Sequence, residues 1–147
     1  GAMDYSDLDA SRSYLHWPRY QMSKLANLLF MYELDRRLRA AGRATQAIGC
    51  HPGVAMTELT RHLPLPLRYM TPLATPFFNS AAQGAWPTLQ AATGAHVQGG
   101  DYLGPQGLGE ISGRSGPARA TRDARDPKLA RDLWRRSIDL TGVDPGI

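Results

Sequence analysis

The chain has 147 residues, of which 42% are hydrophobic and 20% charged, with a formal net charge of +4. That is one domain's worth of chain, long enough to bury a core, and no apolar run approaches the roughly 18 residues of a membrane span. A single cysteine, Cys50, excludes an internal disulfide and suits a reducing cytoplasm.

The basic excess raises the question of an anionic partner. Near the end of the chain, Arg122, Arg125, Arg131, Arg135 and Arg136 interleave with Asp123, Asp126 and Asp132, the pattern of a solvated helix face. With no zinc finger, RNA-binding aromatic signature or basic stripe, nucleic acid is not expected as a partner.

Gly1-Ala2 reads as a remnant of tag cleavage, with Met3 either a native start or part of the same scar. Residues 4–16 are polar with scattered aromatics, show no signal peptide, and read as a surface loop. A helix is expected from about Pro18 to Ala41. Proline is tolerated at a helix start, and Leu25, Leu28, Leu29, Tyr32, Leu34 and Leu38 broadly follow a helical period. Arg36, Arg37 and Arg39 suit the closing turns, with Gly42 just past the end. Within this helix, Tyr20 and Lys24 lie one turn apart on one face. An ammonium beside a phenol favours the phenolate, and such a phenol can exchange a proton with a carbonyl or alcohol oxygen. The same spacing also reads as an ordinary amphipathic helix with Tyr20 half buried and Lys24 solvated.

Thr45 to Cys50 is short, small and apolar, as in a buried strand of a parallel sheet. Pro52-Gly53 ends it. Ligands of open α/β sheets bind beyond the carboxyl ends of strands, which places His51 to Thr57 at a binding position. A lone histidine at a strand end is more often a structural hydrogen-bonder than a catalyst, and His51 is not assigned catalysis. No second histidine or acid has ligand spacing, so no metal is expected.

Residues 58–79 are apolar and carry Pro64, Pro66, Pro72 and Pro76, which chop any helix into short pieces. Ser80 to about Thr93 reads as a helix with a possible capping box from Ser80 to Gln83. Its small residues Ala81, Ala82, Ala85, Leu89 and Ala92 suggest a close-packing face, with Pro87 kinking or delimiting the helix. Residues 94–117 are glycine-rich. Asp101 to Pro105 reads as a last strand and the remainder as a flexible loop, because no βαβ context supports a phosphate cradle. A final helix is expected from about Asp126 to Leu140, with Pro127 in its first turn, Gly142 past its end, and Leu129, Leu133, Trp134, Ile138 and Leu140 facing inward.

Three stretches carry a resemblance: Tyr20-Gln21-Met22-Ser23-Lys24-Leu25-Ala26-Asn27, His51-Pro52-Gly53-Val54-Ala55-Met56-Thr57, and Leu133-Trp134 with Leu140-Thr141-Gly142-Val143. Together they resemble the C-terminal half of a short-chain dehydrogenase/reductase, in the branch of retinol dehydrogenases, WW-domain oxidoreductases and protochlorophyllide reductases. The implied fold is α/β: a partial Rossmann-type, doubly wound fold, the C-terminal half only, with few parallel strands and flanking helices over 4–147. The resemblance implies Tyr20 as the proton-transfer group. It implies Lys24 as the residue that tunes Tyr20 and bonds the nicotinamide ribose. Pro52, Gly53, Val54 and Thr57 would hold the nicotinamide end of NAD or NADP. It also implies that residues 58–79 are a substrate lid; irregular packing or an oligomer contact accounts for their composition equally well. Their apolar character suggests a small lipophilic carbonyl or alcohol.

The glycine-rich nucleotide loop of that family, its NAD/NADP-choosing residue, its asparagine and its catalytic serine have no counterpart here. The expected function is therefore an NAD(P)-dependent oxidoreductase present as a truncated chain, inactive alone. The alternative is a non-catalytic oligomeric remnant acting as an interaction or scaffold protein. A half-sheet exposes apolar faces and strand edges, so a homo-oligomer is expected, formed through the Tyr20/Lys24 helix with its leucines, Phe30 and Met31.

Overall fold

The computed structural model describes residues 3–8, 10–53 and 78–147. In chain order the elements are α1 (His16–Ala40), β1 (Gly49–Cys50), α2 (Ala81–Thr93), β2 (Tyr102–Pro105), β3 (Ser115–Pro117) and α3 (Pro127–Thr141). They pack as two units, Gly1–Ala47 with Ala120–Ile147, and Ile48–Arg119. Of the expected lid, residues 58–77 lie outside the described residues, as do Val54 and Thr57.

The first unit is α1 packed on α3. Its core joins Leu25, Leu29, Ala124, Ala130 and Leu133, and a second cluster joins Met31, Leu38 and Ala47. Burying a leucine in such a core contributes about 1.5–3 kcal/mol. Met31, expected on an exposed interface, is buried instead, whereas Phe30 is 44% exposed. The stripe that faces the core therefore runs wider than the leucines alone suggest. It even takes in Glu33 and Asp35, because arginines satisfy both carboxylates. Glu33 accepts from Arg36 and, at 2.8 Å, from Arg37 Nε, and Asp35 pairs with Arg39 Nε at 2.7 Å. The Arg37 guanidinium also lies over Trp134, 4.6 Å from the ring centroid, and Phe30 stacks on the same ring at 5.2 Å.

The termini of α3 follow from sequence. Asp126 accepts from the N–H groups of Lys128 (2.7 Å) and Leu129 (3.3 Å), Pro127 sits in the first turn, and Gly142 closes the helix with φ 69°. Ala130, Leu133 and Trp134 are buried. Leu140, in the last turn of α3, is 70% exposed, contrary to its expected inward position.

The second unit holds a three-stranded sheet in the order β1-β2-β3. β1 runs parallel to β2, pairing Gly49 with Tyr102 and Cys50 with Leu103. β2 runs antiparallel to β3, pairing Leu103, Gly104 and Pro105 with Pro117, Gly116 and Ser115. The sheet is thus mixed, where parallel strands alone were expected. The glycine-rich stretch expected as a flexible loop supplies β3 and a hydrogen-bonded turn, with Gln106 N–H bonding Arg114 O at 2.8 Å and Gly107 N–H bonding Ser112 O at 2.7 Å. β1 is shorter than expected and Cys50 is exposed.

α2 packs on all three strands. Its capping box is formed: Gln83 N–H donates to Ser80 Oγ at 3.2 Å, and Ser80 N–H donates to Gln83 Oε1 at 2.9 Å. The packing face differs from the expected one. Gly84 and Pro87 are buried, while Ala81, Ala82, Ala85, Leu89 and Ala92 are exposed. Residues three apart share a helix face, and Gly84 and Pro87 make up the buried side of α2. No helix among the described residues is long and apolar enough to cross a membrane.

Candidate functional site

The expected proton-transfer pair sits on the first two turns of α1. Tyr20 is 54% exposed, and Lys24 Nζ lies 5.3 Å from the centroid of its ring. This is a cation–π approach, the geometry in which an ammonium meets the negative face of a ring. Trp17, one turn earlier, stacks on Tyr20 at 5.8 Å with an interplanar angle of 23°. Ser23 Oγ donates to Tyr20 O at 2.8 Å. Among the described residues the Tyr20 hydroxyl takes no hydrogen bond, and Lys24 has no carboxylate partner. Both polar ends are therefore open to a ligand oxygen.

The second expected group follows β1, in the second unit. Pro52 O accepts from Asn79 Nδ2 at 3.1 Å, and Gly53 N–H donates to His51 Nδ1 at 3.3 Å. Gly53 has φ 72°, and a Cβ there would lie 2.3 Å from Ile111 O. Only glycine fits a left-handed backbone pressed against a carbonyl. Pro52 and Gly53 thus already hold protein partners through one polar atom each. Val54 and Thr57 lie outside the described residues.

Tyr20 and Lys24 belong to the first unit, Pro52 and Gly53 to the second. The donor set itself fits NAD(P) chemistry: an ammonium without a carboxylate partner suits a ribose hydroxyl, and an open phenol suits a carbonyl or alcohol oxygen. Among the described residues, no group of three or more His, Cys, Asp or Glu side chains has the arrangement of a metal site.

Two residues around the turn are not among the expected site residues: Asn79, which is 1% exposed, and Glu110. Glu110 Oε2 lies 3.2 Å from His51 Nε2, and its Oε1 accepts from Arg119 N–H at 2.8 Å. One clue to Glu110 was present, since it is the only carboxylate between Asp101 and Asp123.

The chain is similar to several known proteins. The chain is 35% identical over 97% of its length to retinol dehydrogenase 12 of Mus musculus, covering 42% of that protein. It is 35% identical over 99% of its length to polyprenol dehydrogenase of Mus musculus, again covering 42%. Retinol dehydrogenase 11 of Homo sapiens is 32% identical over 97% of the chain. A crystal structure of an uncharacterized protein from Mycobacterium paratuberculosis superposes with a TM-score of 0.76 at 34% identity, covering 100% of this chain and 47% of that one. No family model matches the chain. Over nearly its whole length the chain is similar to retinol and polyprenol dehydrogenases, which are short-chain dehydrogenase/reductases. It spans about two-fifths of the length of the curated relatives it matches.

Proposed function

We propose that the chain carries the proton-transfer and nicotinamide-end residues of an NAD(P)-dependent oxidoreductase acting on a lipophilic alcohol or carbonyl. The observation that carries this reading is the open Tyr20–Lys24 pair, with Nζ 5.3 Å from the ring centroid. Bound NADH or NADPH would supply the hydride for reduction, and its oxidised form would accept it in the reverse direction. Tyr20 donates its phenolic proton to the carbonyl oxygen as the alcohol forms, and takes it back in the reverse direction. Lys24, whose ammonium lies over the Tyr20 ring, would bond the ribose hydroxyls through its N–H donors. Pro52, Gly53, Val54 and Thr57 would hold the nicotinamide end. The substrate class rests on the apolar composition of residues 58–79 and on the lipophilic alcohols named in two relatives, retinol and polyprenol.

The test is a titration of NADH and NADPH onto the purified chain, followed by nicotinamide fluorescence and calorimetry. Saturable binding of one form, weakened in Lys24→Met, supports the reading. Absence of binding at millimolar cofactor removes it.

A second reading is an oligomeric, non-catalytic protein. It is favoured by apolar side chains left in the open: Tyr14, Leu15 and Trp17 are 63%, 66% and 68% exposed beside Tyr20, and Leu89 of α2 is 57% exposed. Contiguous apolar surface of this kind marks interaction sites. The same patches support a homo-oligomer under the first reading. Tyr20→Phe distinguishes the cases, because it abolishes turnover under the first reading and leaves assembly untouched under both; a stable monomer in solution removes the oligomer from both.

A further inference from the structure

The turn His51-Pro52-Gly53 meets the segment that precedes β3 at His51 and Gly53, and Asn79 at Pro52. His51 Nδ1 accepts from Gly53 N–H at 3.3 Å, so this nitrogen carries a lone pair. The proton of the neutral ring then sits on Nε2, which faces Glu110 Oε2 at 3.2 Å. The second oxygen of Glu110 is engaged by Arg119 N–H at 2.8 Å. Pro52 O is held by Asn79 Nδ2 at 3.1 Å, and the same amide accepts from Gly113 N–H at 3.0 Å through Oδ1. Gly53 rests against Ile111 O.

Two backbone features show that this arrangement is built rather than incidental. Glu110 has φ 58°, a conformation that residues with a Cβ rarely adopt. Such a conformation persists where the surroundings over-determine it. Gly104 lies directly beneath the imidazole, and a Cβ there would be 2.1 Å from His51 Nε2. The Tyr102 ring, 5.3 Å from that of His51, adds a further wall.

We propose that Glu110 and Asn79, acting through His51 and Pro52, are positioning residues that clamp the His51–Gly53 turn and so fix the backbone leading into Val54. Its use in nicotinamide binding rests on the function proposed above; the clamp itself does not. Glu110 and Asn79 reach the turn from two separate stretches of the chain that follow it. Glu110 fixes the imidazole tautomer, and the tautomer keeps Nδ1 as acceptor for Gly53. Asn79 fixes the preceding carbonyl. Loss of either one frees one end of the turn.

The experiment compares Glu110→Gly, Glu110→Gln and Gly104→Ala with the wild type. Glycine relieves the positive φ at position 110 while removing the carboxylate, so this variant keeps its fold. Glutamine retains an acceptor for Nε2–H and serves as the rescue. Nitrogen NMR of His51 should show protonated Nε2 and bare Nδ1 in the wild type. Amide exchange at Gly53 should rise about tenfold or more in Glu110→Gly and Gly104→Ala, and return most of the way in Glu110→Gln. Under the proposed function, nicotinamide affinity falls in parallel, by roughly 10- to 100-fold, as expected for a small misplacement of binding groups. A proton on His51 Nδ1, or Gly53 exchange unchanged in both breaking variants, overturns the clamp. Faster Gly53 exchange in those variants, with no cofactor binding by the wild type, upholds the clamp and instead removes the nicotinamide role of the turn.

Discussion

The buried carboxylate of Asp7, 4% exposed, is held by the guanidinium of Arg19. Around that pair the segment before α1 folds back on itself. Asp7 also accepts from the N–H groups of Arg12 at 3.0 Å and Ser13 at 3.3 Å, and Arg19 Nη2 donates to Ser13 O at 2.8 Å. A stretch that reads as a polar surface loop is thus fastened to the first turn of the helix that bears Tyr20.

This arrangement makes the first unit acid-sensitive. The Arg12 N–H, then the Arg19 side chain and the Ser13 N–H, hold the Asp7 carboxyl below its ordinary value, against the opposing effect of burial. A carboxyl depressed in the folded state stabilises the fold above the unfolded value of about 3.9, and that contribution disappears as pH falls through the lower, folded value. Asp7→Asn should therefore lower the denaturation midpoint at pH 7, and the gap from wild type should close as pH falls below about 4. Denaturant titrations at pH 7 and pH 3 read this directly. An equal gap at both pH values contradicts a charge-based role.

The core of the first unit makes a sharper energetic prediction. Leu29 is fully buried among Leu25, Ala124, Ala130 and Leu133. Leu29→Ala should cost about 2–5 kcal/mol, the range for leucine truncation in a packed core. Leu140, 70% exposed on the same amphipathic pattern, should change stability by no more than about 0.5 kcal/mol when truncated. Chemical denaturation of the two variants side by side separates burial from mere periodicity.

That contrast shows where the sequence was readable. α1, α2 and α3 were visible because their signals are local: Ser80 with Gln83, Asp126 with Pro127, Gly142, and leucines at helical spacing. The Tyr20–Lys24 approach was visible for the same reason, since helical geometry alone brings residues four apart together. β3 was not, because Ser115-Gly116-Pro117 has neither alternation nor β-branched residues and is a strand only through its pairing with β2. The inner face of α2 was hidden because Gly84 has no side chain to signal a packing face and Pro87 reads as a kink or boundary, yet both are buried. The contact between His51 and Glu110 spans 59 residues and exists only through the tertiary fold.

The capping box at α2 offers a local test. Ser80→Ala removes the acceptor for Gln83 N–H and should cost about 1 kcal/mol, whereas Ser80→Gly should cost only a few tenths. Amide exchange at Gln83 should accelerate in the alanine variant before global unfolding does. Equal effects of alanine and glycine would place the cost in packing and not in the cap.

Tyr20 gives the test of chemistry. Its hydroxyl takes no hydrogen bond among the described residues, and the side chain is 54% exposed, so removing the oxygen leaves the packing of α1 untouched. Tyr20→Phe should leave stability within about 0.5 kcal/mol. It should also retain the stacking on Trp17 and the approach of Lys24, both of which use the ring. Under the proposed function, carbonyl reduction followed by nicotinamide absorbance should fall by about 10²–10⁴-fold, the usual contribution of a positioned acid or base. Cofactor affinity should stay within about twofold, because the proton-transfer group acts on the substrate oxygen. Lys24→Met should differ in kind, weakening cofactor binding as well as turnover, since its ammonium would bond the ribose. A Tyr20→Phe variant with wild-type turnover would remove Tyr20 from the reaction and leave the exposed aromatic surface of α1 as a binding face.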